Sequence, residues 1–460
     1  MTSVLLIYPY FDKKYNRSIF RFPPLGIGYV AASLRDAGYH VDIMDCTFMD
    51  RDDAMEKAVR SCPDVIGIYS MVTMREDSLR FAQHLRGSCD LLVAGGPLPS
   101  SDPAAFLPEF DIVLRGEGEH VMVDILRSYE SGDDPASVPG IVYCRGNNGR
   151  TTSSENNDEI VFTGTSAMEP DLDSISFPAR DLLPNDTYIE YWKKRFGYAA
   201  TTVITTRGCP FACEFCSNAV FGVSYRERSP ENVIDEVEQA LSLGYDHIHF
   251  ADDVFTLNKE RIIRICTEIM KRDLCFTWEC LGRVDSMDQE IASAMKSAGC
   301  NRIFFGIESG SNPVLEMMNK KITVDQALRV VNAVHSAGIM TGAFFILCYP
   351  GETDSTVLDT LRFSTSLPLD YLSFTMPYPL PGTALYERVK DRIIMEWEAP
   401  EGPASDHVLT YNADFSESKM KFAILKGQVQ FGIRKRFGKL SFFVVKPFEI
   451  LTDTVFRLLR

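Results

Sequence analysis

The stretch RGCPFACEFCSN, residues 207–218, places Cys209, Cys213 and Cys216 at a CxxxCxxC spacing. Closely spaced thiolates bind metals, and zinc is the first alternative, but a structural zinc site normally closes with four ligands. No second cysteine pair lies nearby, and the next histidine or cysteine downstream is His247. An iron–sulfur cluster tolerates three protein thiolates when its fourth iron is reserved for another ligand. The spacing therefore favours an iron–sulfur cluster with an open coordination position.

The three cysteines follow the first of six apolar runs that alternate with amphipathic segments. These runs predict strands, and they read TTVITTRG, HIHFADD, FTWECLGR, RIFFGIES, MTGAFFILCYP and YLSFTMP. Helix signals lie between them: Ser229 is suited to cap a helix, Pro230 to open its first turn and Gly244 to follow its last. Six strand–helix repeats predict a partial (βα)6 barrel over residues 196–390. Its functional groups are expected at the C-terminal ends of the strands.

The first 145 residues contain a second alternation of strands and helices. Five short runs rich in Val, Ile and Leu predict a parallel sheet that is buried on both faces, and they read VLLIYP (4–9), YHVDIMD (39–45), DVIGIYS (64–70), LLVAGGP (91–97) and DIVLRG (111–116). This α/β pattern predicts a doubly wound, flavodoxin-like domain over residues 1–145. Such a domain binds ligands beyond the carboxyl ends of its strands.

Two further regions complete the predicted organisation. Residues 146–195 are rich in turn formers, acids and prolines, so we expect an interdomain linker there. Residues 391–460 lose the strand–helix rhythm and are predicted to be a mainly helical C-terminal region. From residue 414 onward this region carries ten Lys or Arg against four Asp or Glu. We interpret it as a solvated helical surface, and a docking surface for an acidic partner is the alternative.

Composition restricts the class of protein. A hydrophobic content of 45% and a charged content of 24% are typical of a soluble globular chain, and 460 residues are too many for one ordinary domain. The net charge of −16 argues against a general nucleic-acid binder. No apolar run approaches the length of a membrane span, and the first residues lack the features of a secretory signal, so a cytoplasmic location is expected.

A CxxxCxxC motif directly after a first barrel strand resembles the radical S-adenosylmethionine (SAM) superfamily. In that family three cysteines hold a [4Fe–4S] cluster whose remaining iron binds the amino and carboxylate groups of SAM. One electron, from a low-potential donor such as ferredoxin or flavodoxin, then cleaves SAM to a 5′-deoxyadenosyl radical. The resemblance covers about residues 195–390. It implies that Cys209, Cys213 and Cys216 are the iron ligands and that Phe215 packs near the adenine of SAM.

Four further residues at strand ends match the positions that bind SAM in this family. Asp252 and Asp253 end the second strand, although acids replace the common Gly-Gly-Glu. Arg283 ends the third strand and is suited to pair with the SAM carboxylate through two hydrogen bonds. Glu308 ends the fourth strand and is suited to bind the ribose hydroxyls. A structural ion pair is the alternative for each, and Tyr349 in CYPGET departs from the family's LPGET.

The N-terminal domain resembles the B12-binding domain that is fused to many radical SAM enzymes. The similarity lies in PPLG at residues 23–26, in the glycine pair after the fourth strand and in RGEGE at residues 115–119. Glycine allows a flat corrin or its nucleotide tail to approach the backbone. The resemblance implies cobalamin contacts from Tyr8, Pro24, Leu25, Gly26, Ser70, Met71, Thr73, Gly95, Gly96, Gly116 and Glu117. A DxHxxG motif is missing, so we expect no histidine on cobalt and expect residues 70–73 to face its lower side.

Two alternatives exist for the N-terminal domain, a dinucleotide-binding fold and a methylthiotransferase domain. GxGxxG is missing after the first strand, which argues against a dinucleotide fold of the NAD type. The methylthiotransferases that modify tRNA carry three more cysteines in their N-terminal domain, and Cys46, Cys62 and Cys89 make that alternative relevant. Only Cys46 ends a predicted strand, however, and no small basic β-barrel follows for RNA binding. The sequence therefore favours cobalamin.

Together the two resemblances imply a C-methyltransferase acting on an unactivated sp3 carbon. In such enzymes the substrate radical takes a methyl group from methylcobalamin, which a second SAM regenerates. The substrate stays open between a small molecule and a protein residue, such as the glutamine of methyl-coenzyme M reductase that compact members methylate. One alternative is a non-methylating enzyme, such as the anaerobic cyclase of chlorophyll synthesis, a rearrangement enzyme or a member acting on lipids. A non-catalytic iron–sulfur or B12 sensor is the other.

Overall fold

The computed structural model describes residues 2–11, 21–145, 159–394, 409–438 and 441–459, without the side chains of 441–444. The chain divides into two compact units, which we describe separately. Among the described residues, the first unit holds those of Met1–Ala200 and Ser217–Glu227. The second unit holds Thr201–Cys216 and most of the chain after Arg228.

The first unit is a doubly wound α/β domain. Its strands are β1 (Ser3–Tyr8), β2 (His40–Asp45), β3 (Val65–Tyr69), β4 (Leu91–Gly95), β5 (Ile112–Leu114), β6 (Ile141–Arg145) and β7 (Glu159–Phe162). The sheet order is β2-β1-β3-β4-β5-β6-β7, in which β1 to β5 are parallel and β6 and β7 are antiparallel additions. Its helices are α1 (Leu25–Asp36), α2 (Arg51–Ser61), α3 (Arg75–Leu85), α4 (Pro97–Ser101), α5 (Gly118–Ser131) and α6 (Asn185–Phe196).

The parallel part of this sheet is buried on both faces, as its apolar runs predicted. Successive residues of β1 enter different cores: Leu5 and Ile7 pack on one side, and Val4 and Leu6 on the other. A strand whose two faces both meet helices needs apolar residues at every position, which explains why the runs do not alternate with polar residues. The flavodoxin-like strand order 2-1-3-4-5 confirms the predicted fold.

Residues 146–195 differ from the predicted linker. Part of this range lies outside the described residues, but β7 pairs with β6, and α6 belongs to the first unit. Tyr188 and Trp192 on α6 are fully buried. The Tyr188 hydroxyl donates to Asp45 Oδ2 at 2.6 Å. Trp192 Nε1 donates to the Arg21 carbonyl at 2.5 Å. The i,i+4 spacing of these aromatic residues is a helix signal, and the many turn formers around it hid that signal.

The second unit carries the predicted partial barrel. Its strands are β8 (Ala200–Val203), β9 (Thr206–Arg207), β11 (His247–Phe250), β12 (Thr277–Gly282), β13 (Cys300–Glu308), β14 (Met340–Ile346) and β15 (Tyr371–Thr375), whereas β10 (Arg226–Glu227) lies in the first unit. The main sheet has the order β15-β14-β13-β12-β11-β8, and β11 to β15 pair in parallel. Strands that neighbour in sequence also neighbour in the sheet, which confirms the partial barrel.

Helices cover the outer face of this sheet and continue beyond it. They are α7 (Pro230–Ser242), α8 (Lys259–Lys271), α9 (Gln289–Ser297), α10 (Asn312–Met317), α11 (Val324–Ser336), α12 (Asp354–Ser366), α13 (Ala384–Val389), α14 (Glu417–Phe437) and α15 (Ser441–Leu458). The predicted signals hold at α7, where Ser229 Oγ accepts from Asn232 N at 3.2 Å and Gly244 follows with φ +99°. No helix within the described ranges is both long and apolar enough to span a bilayer.

The C-terminal region is mainly helical where it is described, as predicted, but its cations do not all face solvent. Lys426 on α14 is fully buried and pairs with Asp453 at 2.9 Å. Arg434 Nη2 donates to the Ser366 carbonyl at 2.9 Å, and Lys435 Nζ donates to the Asp370 carbonyl at 3.0 Å. Cations at the C-terminus of a helix such as α12 satisfy carbonyls that lack intrahelical partners. Part of the positive charge of this region therefore holds α14 against the barrel.

Alternation along β13 explains how the barrel presents polar groups. Ile303, Phe305 and Ile307 belong to the core between the sheet and its helices. Because successive strand residues point to opposite faces, Gly306 and Glu308 lie on the other face of the sheet. The carboxyl ends of the parallel strands thus carry the polar residues that the sequence placed there.

Candidate functional site

The cysteine loop, residues 208–218, follows β9. Cys209 is buried, Cys213 is half-buried and Cys216 is exposed. Cys216 N donates to the Cys213 carbonyl at 3.2 Å, so the chain turns tightly between the second and third cysteines. The three thiols interact electrostatically with one another and with Asp253. The loop therefore collects in one place the three groups that were close only in sequence.

Two thiols of this loop, those of Cys209 and Cys216, have raised pKa values and resist ionisation by themselves. Desolvation by the surrounding protein raises the pKa of the Cys216 thiol to about 11, and the neighbouring thiols and Asp253 add to the effect. Burial likewise raises the pKa of Cys209. Three thiolates gathered here need positive charge nearby, which metal ions supply. The donor set fits a metal centre chemically.

The number of thiols matches a cluster with one open iron. A structural zinc site normally closes with four ligands at one centre. In an iron–sulfur cluster each thiolate binds a different iron, and three thiolates can leave one iron for another ligand. Three thiols in one loop therefore fit the cluster that the sequence favours.

A short segment after α10 holds the cysteine loop in position. Asn319 Nδ2 donates to the Ala212 carbonyl at 2.6 Å, and Glu214 N donates to the Met318 carbonyl at 3.0 Å. Asn319 adopts the left-handed region with φ +50°, which asparagine tolerates better than most residues. That preference is the only sequence signal for this contact, and we did not predict it. The loop is thus fixed by residues about a hundred positions away.

Tyr349, which departs from the family motif, also contacts the cysteine loop. Its hydroxyl donates to Glu214 Oε2 at 2.7 Å, and Arg388 Nη1 lies 3.0 Å from the same oxygen. Glu214 stands between the second and third cysteines in sequence. The tyrosine therefore ties the loop after β14 to the loop that carries the thiols, a role that its sequence position alone does not reveal.

Arg283 lies at the end of β12, where the sequence placed it, and is already engaged within the protein. Its Nε and Nη2 atoms donate to the two carboxylate oxygens of Asp285, each at 2.9 Å, and Nη2 also donates to the Lys320 carbonyl at 2.8 Å. The guanidinium lies 3.5 Å from the centre of the Phe211 ring. Arg283 is therefore held rigidly beside the cysteine loop, and we did not predict its Asp285 partner.

Glu308 ends β13 and forms a buried ion pair. Lys320 Nζ lies 3.1 Å from Glu308 Oε1, and the side chains of both residues are 9% exposed. The same ammonium lies 5.7 Å from the centre of the Phe215 ring. The structure thus brings the predicted residues Glu308 and Phe215 to one place through Lys320, which the sequence analysis missed.

The two aspartates at the end of β11 separate into different environments. Asp252 is buried, and its carboxylate accepts from the backbone N–H of Thr205 at 2.5 Å and of Thr206 at 2.9 Å. Desolvation raises its pKa. Its carboxylate oxygens fix the turn that precedes the cysteine loop, and its contact with SAM stays a prediction. Asp253 is exposed and interacts with Cys209 and Cys216.

Glu352 in the CYPGET segment is expected to make folding depend on pH. It is buried, and desolvation raises the pKa of its carboxyl from 4.5 to about 7. The folded state then binds more protons than the unfolded state between these values, so the free energy of unfolding falls as pH rises through that window, by on the order of 3 kcal/mol. In Glu352→Gln this fall is absent, and the variant gains stability over wild type at pH 8. Urea unfolding at pH 5 and pH 8 checks this, and equal pH dependence in both proteins contradicts it.

The first unit has a cavity of about 330 Å³ at the carboxyl ends of β1 and β3. Five of the residues predicted to contact cobalamin line it: Tyr8, Pro24, Leu25, Gly26 and Met71. Tyr69 also lines it, with its ring 5.4 Å from that of Tyr8, and was not predicted. The cavity is smaller than a whole cobalamin, so it fits one part of that molecule. The lining is mainly apolar and aromatic, as is common for cofactor sites.

The other predicted cobalamin residues lie outside this lining. Thr73 is exposed, Gly116 has φ +83°, and Glu117 is tied by an ion pair to Arg226. Glu117 therefore has an ion-pair partner within the first unit, and its contact with cobalamin stays a prediction. Within the described chain, Ser70 Oγ is buried without a hydrogen-bond partner. Because buried polar groups are normally hydrogen-bonded, this hydroxyl is available to a bound ligand.

The two glycines after β4 differ in what surrounds them. A Cβ atom added to Gly96, which has φ +111°, would lie 2.6 Å from the Ser70 carbonyl oxygen and 3.1 Å from the Tyr69 ring. A Cβ atom added to Gly95 would meet nothing within 4 Å. Gly96 thus permits the packing of Tyr69 behind the cavity, whereas Gly95 leaves open space at the sheet edge. This bare edge fits a bulky flat ligand.

Comparison with known proteins identifies both units. Residues 203–364 match the radical SAM superfamily, and residues 18–126 match the B12 binding domain. The chain is 30% identical over 448 residues to an uncharacterised methyltransferase of Pyrococcus horikoshii, an alignment covering 94% of this chain and 93% of that protein. The chain belongs to the B12-binding radical SAM family. The resemblance drawn from the cysteine motif and the PPLG loop is thereby confirmed.

Two further members of the family show its range. The anaerobic magnesium-protoporphyrin IX monomethyl ester cyclase of Cereibacter sphaeroides is 27% identical, over 85% of this chain and 64% of its own length. The radical SAM methyltransferase TsrM from Kitasatospora setae, solved with cobalamin and a [4Fe–4S] cluster, has a TM-score of 0.69 at 18% identity and covers 85% of this chain and 75% of its own. The cofactors predicted from the sequence are those named for TsrM.

Proposed function

We propose that this protein is a cobalamin-dependent radical SAM methyltransferase that transfers a methyl group from methylcobalamin to an unactivated sp3 carbon. The observation that carries this proposal is that one chain joins a three-thiol site at the barrel edge to a B12-binding domain. The similarity to an uncharacterised methyltransferase over nearly the whole of both chains supports methyl transfer in particular.

The cofactor contacts follow from the residues that the fold brings together. Cys209, Cys213 and Cys216 would hold a [4Fe–4S] cluster and leave one iron for SAM. When they are bound, the cluster and SAM supply a 5′-deoxyadenosyl radical, and methylcobalamin supplies the methyl group. We propose that SAM is contacted by Phe215, Asp253, Arg283 and Glu308. We propose that cobalamin is contacted by Tyr8, Pro24, Leu25, Gly26, Met71 and Ser70.

The protein's own contribution is to hold these contacts rigidly. Arg283 is oriented by Asp285 and by the Phe211 ring, and Glu308 is oriented by Lys320. Groups fixed before the ligand binds lose little entropy when it arrives, which is the physical basis of orientation in catalysis. We propose a ferredoxin or flavodoxin as the electron donor, and a peptide or small molecule as the substrate.

A second candidate function is a radical reaction without methyl transfer. It is favoured by the similarity to the magnesium-protoporphyrin cyclase, which extends over 85% of this chain. A cyclase or rearrangement enzyme would use the same thiols and the same B12-binding domain. The two functions differ in the fate of the second SAM, and product analysis separates them.

The proposed function predicts two products of SAM. Full-length protein reconstituted with iron, sulfide and cobalamin is incubated without oxygen with SAM, a low-potential reductant and candidate substrates. We expect both 5′-deoxyadenosine and S-adenosylhomocysteine, about one of each per methylated product, as measured by mass spectrometry. 5′-Deoxyadenosine without S-adenosylhomocysteine would favour the cyclase-type reaction. If neither product forms with any reductant, the radical SAM proposal fails.

A further inference from the structure

Lys320 is a buried cation beside the cysteine loop, and no sequence motif or family match assigns it a role. It lies three residues after α10, between Asn319 and Lys321, which both have positive φ. Lys320 is 7% exposed, whereas Lys321 is exposed. Burying an ammonium group costs free energy unless an anion and hydrogen bonds compensate it. The groups around Lys320 must therefore compensate the cost of burying its ammonium.

The first compensating group is Glu308, and the backbone around it is shaped for the pair. Glu308 itself has φ +71°, an uncommon conformation for a residue with a side chain. A Cβ atom added to Gly306 would lie 2.5 Å from Glu308 Oε1 and 3.0 Å from Lys320 Nζ. The missing side chain of Gly306 thus provides the space that the ion pair occupies. A strained residue and a glycine both serve this one contact.

The second group that faces Lys320 is the cysteine loop. Its ammonium lies 5.7 Å from the centre of the Phe215 ring. Phe215 directly precedes Cys216 in the sequence, so the cation lies beside the thiol loop. The Lys320 carbonyl accepts from Arg283 Nη2 at 2.8 Å, and the preceding Asn319 holds the Ala212 carbonyl. One segment therefore contacts the thiol loop, the strand-end arginine and the strand-end glutamate.

We propose that Lys320 is a positioning residue of the radical SAM site: it orients the Glu308 carboxylate toward the ribose of SAM and offsets the negative charge of the thiolate-bound cluster. This inference rests on the proposed function. A cluster held by three thiolates carries net negative charge, which increases on reduction. A fixed cation nearby favours the reduced form, because adding an electron beside a positive charge is easier.

The test compares Lys320→Met with a matched control. Lys321→Met removes the same charge from the adjacent, exposed position. The full-length protein with its reconstituted cluster is titrated with reductant, without SAM, and the reduced cluster is followed by electron paramagnetic resonance. We expect a more negative midpoint potential in Lys320→Met, wild-type potential in Lys321→Met, and substantial recovery in Lys320→Arg. We also expect the Kd for SAM, measured by equilibrium dialysis, to rise about tenfold in Lys320→Met only.

A second variant keeps the test decisive if Lys320→Met folds poorly. Gly306→Ala leaves both charges in the chain but crowds the space where they meet, so we expect weakened SAM binding without loss of cluster iron. The proposal is overturned if Lys320→Met, with full iron content, has the wild-type potential and the wild-type Kd for SAM. It is also overturned if Lys321→Met shifts the potential equally. Failure of the proposed function looks different, because wild type itself would then form no 5′-deoxyadenosine.

Discussion

Cys213→Ala is expected to abolish the iron–sulfur cluster and with it all formation of 5′-deoxyadenosine, down to the level of a reaction without protein. Cys213 is the central thiol of the loop and contributes one of three proposed iron ligands. Its structural contact is the carbonyl that accepts from Cys216 N at 3.2 Å, a backbone bond that alanine preserves. The loop should therefore keep its turn while losing a ligand that two remaining thiolates cannot replace.

Iron content, visible absorption and 5′-deoxyadenosine yield measure this effect. Cys275→Ala is the matched control, because Cys275 is an exposed cysteine of the same unit outside the cysteine loop. It should keep wild-type iron content and activity. A Cys213→Ala protein that binds four irons and still cleaves SAM would show that the three-thiol site is not the cluster site.

Asp252→Ala and Asp253→Ala are expected to affect different properties, stability and SAM binding respectively, although the two residues are adjacent. Asp252→Ala leaves the N–H groups of Thr205 and Thr206 without their acceptor in a buried turn. Unsatisfied buried donors of this kind cost on the order of 3 kcal/mol in the free energy of unfolding. Since this turn precedes the cysteine loop, we also expect Asp252→Ala to retain less iron after reconstitution.

Asp253→Ala should leave stability within about 0.5 kcal/mol of wild type, because the side chain is exposed. Its effect should appear in SAM binding, since Asp253 interacts with Cys209 and Cys216 at the site. Urea unfolding and equilibrium dialysis with SAM separate the two variants. Equal stability of both, together with weaker SAM binding in Asp252→Ala alone, would restore Asp252 as the ligand contact.

The strands of both units were predictable because parallel strands buried on two faces must be apolar at successive positions. β1 and β13 show this plainly in VLLIY and RIFFGIE.

β6, β7 and α6 were harder to predict from the sequence. β7 lies at the edge of the sheet, where its short apolar stretch is mostly exposed and is surrounded by turn formers in the sequence. The helix signal of α6, Tyr188 and Trp192, is a single pair that gains meaning only when Asp45 and the Arg21 carbonyl are seen to meet it.

At the site, contacts between residues close in sequence were predictable, and contacts between residues far apart in sequence were not. Cys209, Cys213 and Cys216 fall within eight residues, so their proximity follows from chain length alone. Glu308 and Lys320 lie twelve residues apart on either side of α10, and no local pattern predicts that their charges meet. Asp252 and Asp253 are adjacent acids in the sequence, and only the structure shows that the first is buried and the second exposed.

The sequence by itself determined the fold class of both units and the family, and it predicts the cluster ligands, because these depend on local periodicity and on short motifs. The tertiary structure alone decided which carboxylates are free, that Arg283 is held by Asp285, and that Lys320 stands between Glu308 and the cysteine loop. The physical reason is that desolvation and ion pairing depend on which distant groups share a volume. A linear pattern specifies which groups are present, and packing specifies which of them are already satisfied.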